Sequence, residues 1–201
     1  MNEPKQDRRI RRTQKLLRDS LIELMQEKAF KNISVKDITE RADLNRGTFY
    51  LHYNDTYQLL QSIEDEVLSN FQEMIRCYSH SFQLDTLLPV LNPVIDYISS
   101  NSALCRILFE NTASTDFLNR FHRLINENGQ EIIQHMFPGA DPAISDCCFE
   151  FITYGLIGLI RQWLDNGQAL PKAQLAALAD RAVMGTADRL LREKEGAAHL
   201  A

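Results

Sequence analysis

Apolar residues recur through most of this chain at intervals of three and four positions, the spacing that places them along one face of an α-helix. No segment alternates apolar and polar residues in the manner of a half-buried β-strand. The pattern therefore predicts an all-α fold of about nine helices. The predicted helical segments are residues 13–28, 34–42, 46–53, 57–78, 84–99, 101–110, 115–137, 142–167 and 172–195.

Two of these segments depart from a simple amphipathic pattern. Residues 84–99 contain Pro89 and Pro93. Because proline removes a helical hydrogen bond, we expect this segment to be kinked or broken. Residues 142–167 are the most hydrophobic segment and hold Gly155 and Gly158 among large apolar residues. A helix that is apolar nearly all round must be covered on every side, either by its own domain or by a partner.

Polar residues between positions 34 and 46 predict two short helices joined by a tight turn. Ser34 and Asp37 have the spacing of a capping box, in which each residue satisfies a free N–H group of the other. Asp43 and Leu44 predict the turn, and Asn45 is a candidate N-cap for the second helix.

The second short helix, residues 46–53, has few apolar side chains. We predict that Phe49 and Leu51 anchor it to the rest of the protein. Its other side chains are hydrogen-bond donors and aromatic rings, which suit the major groove of DNA. They are Arg46, Thr48, Tyr50, His52 and Tyr53.

The run Gly-Thr-Phe-Tyr-Leu-His-Tyr at residues 47–53 follows the capped helix at a specific distance. Further residues on both sides of this run belong to the same pattern. They are Thr13, Leu21, Phe30, Ile33, Ser34, Val35, Ile38, Ala42, Leu59 and Leu60. Residues 8–60 thereby resemble the N-terminal domain of the TetR family of bacterial transcription regulators. Residues 154–158, Trp163-Leu164 and Asn166-Gly167 also resemble a C-terminal variant found in a subgroup of that family.

The resemblance implies a division of the chain and a function. Residues 1–55 would form a three-helix DNA-binding domain with its helix-turn-helix at about 33–53, and residues 56–201 a larger helical domain for effector binding and dimerisation. The implied function is that of a ligand-responsive repressor, a homodimer on a palindromic double-stranded DNA operator, with an unidentified small-molecule effector. The alternative is a transcriptional activator or adaptor whose C-terminal half binds a protein partner.

The resemblance also assigns residues to three sites. DNA contacts would come from Lys36, Asn45, Arg46, Gly47, Thr48, Tyr50, His52 and Tyr53, although Tyr53 fits the core equally well. An effector pocket would be lined by Phe71, Ile75, Cys105, Phe109, Phe117, Phe121 and Tyr154, nearly all of which are equally explained as plain core. The dimer interface would use Phe149, Ile152, Leu156, Leu159, Trp163, Leu178, Val183 and Leu190. Two positions depart from the pattern of many relatives, which carry an aromatic residue in place of Leu51 and a lysine in place of Thr56.

Charge is unevenly distributed along the chain. Residues 1–56 hold twelve Lys and Arg against nine Asp and Glu, whereas the rest of the chain holds ten against eighteen. The basic excess next to the predicted helix-turn-helix would neutralise DNA phosphates, and its simpler interpretation is a solvated tail. The basic residues concerned are Lys5, Arg8, Arg9, Arg11, Arg12, Lys15 and Arg18.

Other classes of protein find little support in the sequence. The four cysteines include no Cys-x-x-Cys pair, so they fit buried thiols in a reducing cytoplasm, with a redox sensor as the alternative. No metal site, cofactor motif or secretory signal is found. The most apolar run, residues 151–160, falls short of the ~20 residues that cross a bilayer. An enzyme would have to use His80, His122 and His135, but no nucleophile motif or phosphate-binding loop accompanies them. We therefore expect a cytoplasmic protein that is not an enzyme.

Overall fold

The computed structural model describes residues 5–79, 86–110, 115–136 and 140–192. Within these ranges the chain is all-α, with nine α-helices and a single turn of 3₁₀-helix at Phe30–Asn32. The helices are α1 Lys5–Glu27, α2 Val35–Arg41, α3 Arg46–Tyr50, α4 Thr56–Ser79, α5 Leu88–Ser100, α6 Ser102–Phe109, α7 Thr115–Met136, α8 Pro142–Asp165 and α9 Lys172–Arg192.

Helices α1, α3 and α5 differ most from the sequence prediction. Helix α1 begins at Lys5, so the basic residues that precede position 13 are helical and not a loose tail. Helix α3 ends at Tyr50. Helix α5 runs through Pro93 without a break, and its buried Ile95 and Ile98 pack in the core, because tertiary packing outweighs one lost hydrogen bond. The predicted helical residues 84, 85, 137 and 193–195 lie outside the described ranges.

The capping box at the start of α2 forms as the sequence predicts. The backbone N–H of Asp37 donates to the Ser34 hydroxyl at 3.2 Å, and the Ser34 N–H donates to the Asp37 carboxylate at 2.8 Å. Ion pairs then fasten α2 to α1, with Lys28 3.2 Å from Asp37 and Arg41 2.8 Å from Glu27. The first helix of the helix-turn-helix is therefore fixed at both of its ends.

Protonation of Asp37 is expected to weaken this part of the fold. Hydrogen bonds from Ser34 and then Lys28 lower the pKa of Asp37 from its ordinary value of 3.8 to about 2. A lowered folded-state pKa contributes stability above the unfolded pKa that is lost as the pH falls through the folded one. By thermal melting we expect the wild type to exceed Asp37→Asn in Tm at neutral pH and the gap to narrow between pH 3.8 and about 2. A gap independent of pH would contradict this expectation.

Helix α4 joins the helix-turn-helix to the C-terminal helices. Near its start, Leu59 and Ile63 are buried in the core that α1 to α3 share, and further along Phe71 packs its ring edge-on against Tyr97 and Phe121. Leu59 and Phe71 are about 18 Å apart along the helix axis. Arg120 of α7 also pairs with two carboxylates of α4, those of Glu64 and Asp65. Helix α4 therefore contacts both the helix-turn-helix and the C-terminal helices.

The turn between α8 and α9 is closed by local hydrogen bonds. Gly167 has a φ of 64°, which glycine adopts at little cost, and the N–H of Gln168 donates to the carbonyl of Trp163 at 2.9 Å. The indole N–H of Trp163 donates to the Leu170 carbonyl at 2.7 Å. Helix α8 thus ends at Asp165, and Gly167 lies in the turn that holds α8 and α9 side by side.

Helix α8 is the one helix among the described residues that is long and apolar enough to cross a membrane, by length and composition alone. This corrects the expectation drawn from residues 151–160, because the criterion applies to the whole helix of 24 residues. Core helices of soluble proteins meet the same criterion, and α8 packs against α6, α7 and α9 in this fold.

Candidate nucleic-acid interface and ligand cavity

Helix α3 is placed on the surface by one buried ring and one cap. Phe49 is fully buried, and the rings of Tyr50 and Tyr53 lie against it with centroids 5.6 and 5.9 Å away. At the N-terminus, the Asn45 side-chain oxygen accepts the backbone N–H of Thr48 at 2.8 Å and its hydroxyl at 3.0 Å. The turn before it contains Asp43 with a φ of 53°. A helix of only five residues is thereby held in one orientation.

The cap also explains Gly47. A Cβ atom at this position would lie 3.2 Å from the capping oxygen of Asn45, a tight contact. Gly47 and Asn45 therefore shape the start of α3, and the hydroxyl of Thr48 is already engaged by the cap. Local geometry accounts for these three of the predicted DNA contacts.

The side chains that α3 and its neighbours present to solvent are basic and aromatic. Arg46 is exposed at the first position of α3, and Tyr50 is 57% exposed at the last. Lys36 is exposed on α2, where it lies 3.6 Å from Glu40. His52 is half-buried in the turn that follows α3, and the half-buried Tyr53 packs against the core.

Leu51 does not anchor α3, contrary to the sequence prediction. Its side chain is 81% exposed, whereas Phe49 is fully buried and fills the anchoring role. Two positions along a helix correspond to a rotation of about 200°, so a residue two after a buried one points away from the core. Leu51 therefore adds an apolar side chain to the exposed surface beside Tyr50, and the spacing from Phe49 could have indicated this.

A cavity of about 170 Å³ lies among α4, α5, α7, α8 and α9. Phe71, Ile75 and Phe121, three of the residues predicted for an effector pocket, line it. Gly129 of α7 lies against the ring of Phe149 on α8, where a Cβ would be 2.2 Å from ring atom Cε2. This close packing of α7 on α8 requires glycine.

Four other residues predicted for that pocket lie elsewhere. Cys105, Phe109 and Phe117 are buried in the core outside the cavity, where the two phenylalanine rings pack edge-on at 5.9 Å. Tyr154 is 63% exposed on the outer face of α8. These four residues therefore do not line this cavity, because apolar character alone does not distinguish a filled core from a cavity wall.

Two of the four cysteines are exposed, which corrects the prediction that all four are buried. Cys77 and Cys147 are exposed, whereas Cys105 and Cys148 are buried. Burial raises the pKa of the Cys105 thiol to about 12 and also raises the pKa of Cys148. A raised pKa disfavours, at both buried residues, the thiolate that redox chemistry requires. The described residues contain no cluster of His, Cys, Asp or Glu that could hold a metal ion.

Comparison with known proteins identifies the family. Residues 17–63 match the family described as "Bacterial regulatory proteins, tetR family", and residues 85–185 match "Transcriptional regulator C-terminal region". The chain belongs to the TetR family of bacterial transcriptional regulators. The first match contains the helix-turn-helix, and the second contains most of the helices around the cavity. Members of this family are regulators and not enzymes.

Individual relatives agree with this assignment. The chain is 36% identical over 163 residues to an uncharacterised HTH-type transcriptional regulator, YxbF, of Bacillus subtilis strain 168. That match covers 78% of this chain and 41% of YxbF, so the chain spans less than half of that relative's length. The fold is similar to a TetR transcriptional regulator of Streptococcus agalactiae 2603V, with a TM-score of 0.65, 20% identity and coverage of 90% of this chain and 97% of that one. It is also similar to FadR of Bacillus subtilis in complex with stearoyl-CoA, with a TM-score of 0.59, 16% identity and coverage of 88% and 97%.

Most residues predicted for the dimer interface do not lie on the solvent-exposed face of α8. Phe149, Ile152 and Trp163 are buried within the protomer, and Leu156, Leu159 and Val183 are partly buried in it. Of the residues predicted for the interface, only Leu178 and Leu190 of α9 are exposed. The face of α8 that reaches solvent instead carries Ile144, Phe151, Tyr154, Gly155 and Gly158. We call these five residues the outer stripe.

Proposed function

We propose that this TetR-family protein is a ligand-responsive repressor that binds a palindromic operator as a homodimer. The observation that supports it best is the rigidly capped α3, which presents Arg46, Tyr50 and Leu51 on an exposed surface. In this proposal residues 1–55 read DNA, and residues 56–201 bind the effector and the second subunit. The protein acts in the cytoplasm, where it reaches DNA.

Each exposed group has a role that its chemistry suits. Arg46 can grip guanine through two hydrogen bonds, and Leu51 can contact the methyl group of thymine. Tyr50, His52 and Lys36 donate to base edges or phosphates, while Asn45, Gly47 and Thr48 shape the helix start that approaches the DNA. Tyr53 serves mainly to hold α3 against the core. The exposed arginines of α1, including Arg8, Arg9 and Arg12, add affinity that does not depend on sequence.

The outer stripe supports dimerisation. Phe151 is 67% exposed and Tyr154 is 63% exposed on one face of a helix, with Ile144 on the same face. Contiguous apolar surface of this kind marks an interaction site. Apart from the neighbouring backbone of α8 itself, no atom of the described residues lies within 4 Å of a Cβ placed at Gly155 or Gly158, so packing among the described residues does not explain these glycines. A second α8 approaching closely across a two-fold axis would explain them, because such an axis brings the same patch of both subunits together.

Helix α4 provides the path for regulation. Its Phe71 and Ile75 form part of the cavity wall, and its first turns pack against the helix-turn-helix. An effector that fits the cavity only after α4 shifts would favour the state that does not bind DNA, with a coupling of about 1 to 3 kcal/mol. Such a shift changes the separation of the two α3 helices, which must be ~34 Å to meet successive major grooves.

Fluorescence anisotropy with the DNA that flanks the gene tests this function. We expect binding at least about 10³-fold tighter than to random DNA of the same length, and weakening as salt rises because Lys and Arg displace counterions. If the operator lies elsewhere, selection of bound sequences from random DNA identifies it, and anisotropy is then measured with the selected sequence. A protein that selects no sequence, or that binds one without any salt dependence, would contradict the proposal.

A further inference from the structure

Three successive carboxylates lie near the middle of α4, where this helix passes from the helix-turn-helix to the C-terminal helices. Glu64, Asp65 and Glu66 directly follow residue 63, at which the first family match ends. Glu64 is only 4% exposed, whereas Asp65 and Glu66 are exposed. Burying a carboxylate is costly unless a positive charge or hydrogen-bond donors compensate it. The groups that surround this run are therefore part of its structure.

Two arginines contact this run from opposite sides of α4. Arg120 of α7 has one terminal nitrogen 3.6 Å from the Glu64 carboxylate and the other paired with Asp65. Arg18 of α1 pairs with Glu66. Successive helical residues are rotated by about 100°, so the side chain of Glu66 points about 200° away from that of Glu64. At one level of α4, the DNA-binding domain contacts one side and the C-terminal helices contact the other.

The ion pairs of Arg120 are a second point of attachment between α4 and α7. The first point is the edge-on packing of Phe71 on Phe121, whose ring centroids are 5.0 Å apart. Glu64 lies seven residues before Phe71, which corresponds to about 10 Å along α4. A helix can pivot about one contact, and a second contact at that distance opposes the rotation. Arg120 therefore opposes rotation of α4 on α7.

Helix α7 is in turn attached to the helix proposed for dimerisation. Gly129 of α7 lies against the ring of Phe149 on α8, so closely that a Cβ would be 2.2 Å from the ring. Another face of α8 carries the outer stripe, where the proposed two-fold axis brings two copies of the same patch together. Arg120 thus lies on the path from that axis through α7 to α4. The first turns of α4 pack in the core that positions α3.

We propose that Arg120 is a positioning residue that sets the half-site spacing of the operators the dimer accepts. This inference rests on the proposed homodimer on a palindromic operator and adds a determinant of its specificity. One base pair more or less between half-sites changes their separation by about 3.4 Å and their relative rotation by about 35°. A dimer discriminates strongly against such operators only if its DNA-binding domains are held in place, because loosely held domains follow the DNA.

Fluorescence anisotropy with three operators tests the role of Arg120. The first is the palindromic sequence that the wild type selects from random DNA, and the others have one base pair inserted or removed at its centre. We expect the wild type to bind the altered operators at least about tenfold more weakly. Arg120→Gln should lose about two- to thirtyfold in affinity for the selected operator and little for the altered ones. An isolated half-site should bind both proteins equally, since α3 is unchanged. A wild type without a spacing preference, or Arg120→Gln with the full preference, would overturn the inference.

The matched control is Arg123→Gln, which removes the same charge from an exposed position one turn further along α7. It should keep the spacing preference of the wild type. Arg120→Lys keeps the charge but cannot reach two carboxylates through separate nitrogens, so its preference should be intermediate. If Arg123→Gln relaxes the preference as much as Arg120→Gln does, the net charge is responsible and the inference is wrong.

A double variant separates spacing from folding. Arg120→Gln removes a charge that pairs with the buried Glu64, and breaking a buried pair from one side is strongly destabilising. Arg120→Gln with Glu64→Gln removes both charges, so its Tm should lie nearer that of the wild type while its spacing preference stays relaxed. Circular dichroism and light scattering confirm that this variant is folded and dimeric. Recovery of the wild-type preference in the double variant would mean that Arg120→Gln acts through stability, which overturns the inference.

Failure of the proposed function gives a different result. If the wild type selects no palindromic sequence, the proposed function is wrong, and the role of Arg120 in operator spacing is wrong with it. If the wild type binds a palindrome with a clear spacing preference and the Arg120 variants keep that preference, the proposed function stands and only the inference is wrong.

Discussion

Replacing Phe151 with glutamate is expected to convert the dimer into monomers and to lower operator affinity about 10²- to 10⁴-fold. A two-fold axis places the substitution in both subunits at once, so two carboxylates would enter an apolar interface without partners. Two half-sites bound by one dimer gain affinity from their linkage, and separate monomers lose that gain. Light scattering at micromolar concentration should give the monomer mass for this variant and the dimer mass for the wild type.

The control at the same position is Phe151→Leu, which keeps an apolar side chain and should remain dimeric. Because Phe151 is 67% exposed in the protomer, neither variant should unfold the chain, and far-ultraviolet circular dichroism checks this. Gly158→Ala distinguishes a monomer from a closely packed dimer in a second way. In a monomer this change favours the helix by about 1 kcal/mol, whereas in a closely packed dimer it introduces a clash and weakens association. If Phe151→Glu remains a dimer and keeps full operator affinity, the outer stripe is not the dimer interface.

Arg46→Ala is expected to remove most of the preference for the operator. A bidentate contact of arginine with guanine contributes about 1 to 3 kcal/mol of discrimination, and a symmetric operator contains it twice. The variant should therefore lose about 2 to 6 kcal/mol on the operator and much less on random DNA. Arg46→Lys should not restore the loss, since lysine cannot form the paired geometry. Anisotropy titrations on both DNAs at one salt concentration measure the two losses together.

The control for Arg46 is Arg123→Ala, which removes the same charge from the exposed surface of α7, away from the helix-turn-helix. It should leave operator affinity unchanged within a factor of about two, because charges beyond a Debye length are largely screened. Tyr50→Ala should lower the affinity for the operator as Arg46→Ala does. If Arg46→Ala lowers binding to operator and random DNA equally, Arg46 contacts a phosphate and does not read a base.

Several local features of this protein could be predicted from its sequence. The capping box of Ser34 with Asp37, the cap by Asn45 and the turn at Asp43 all occur where their residues indicate. Each depends on contacts between residues at most five positions apart, so the order of side chains contains the necessary information. The resemblance to the TetR family was local as well, because it rested on the run at residues 47–53 and on its distance from the capped helix.

Features that depend on orientation could not be predicted in this way. Cys105, Phe109 and Phe117 have the composition of a pocket wall but fill the core, and Thr153, which the sequence analysis passed over, lines the cavity. Whether apolar side chains leave a space between them depends on how five helices pack.

Helix α8 shows the distinction most directly. Its sequence determined that a helix forms there and that both of its faces need cover, since apolar residues surround it. It did not determine which face meets α7 and α9 and which forms the outer stripe, because a helix apolar all round has no polar side to mark the solvent. Tertiary packing decides the orientation of α8, because Phe149 packs against Gly129 of α7 while Phe151 and Tyr154 face solvent.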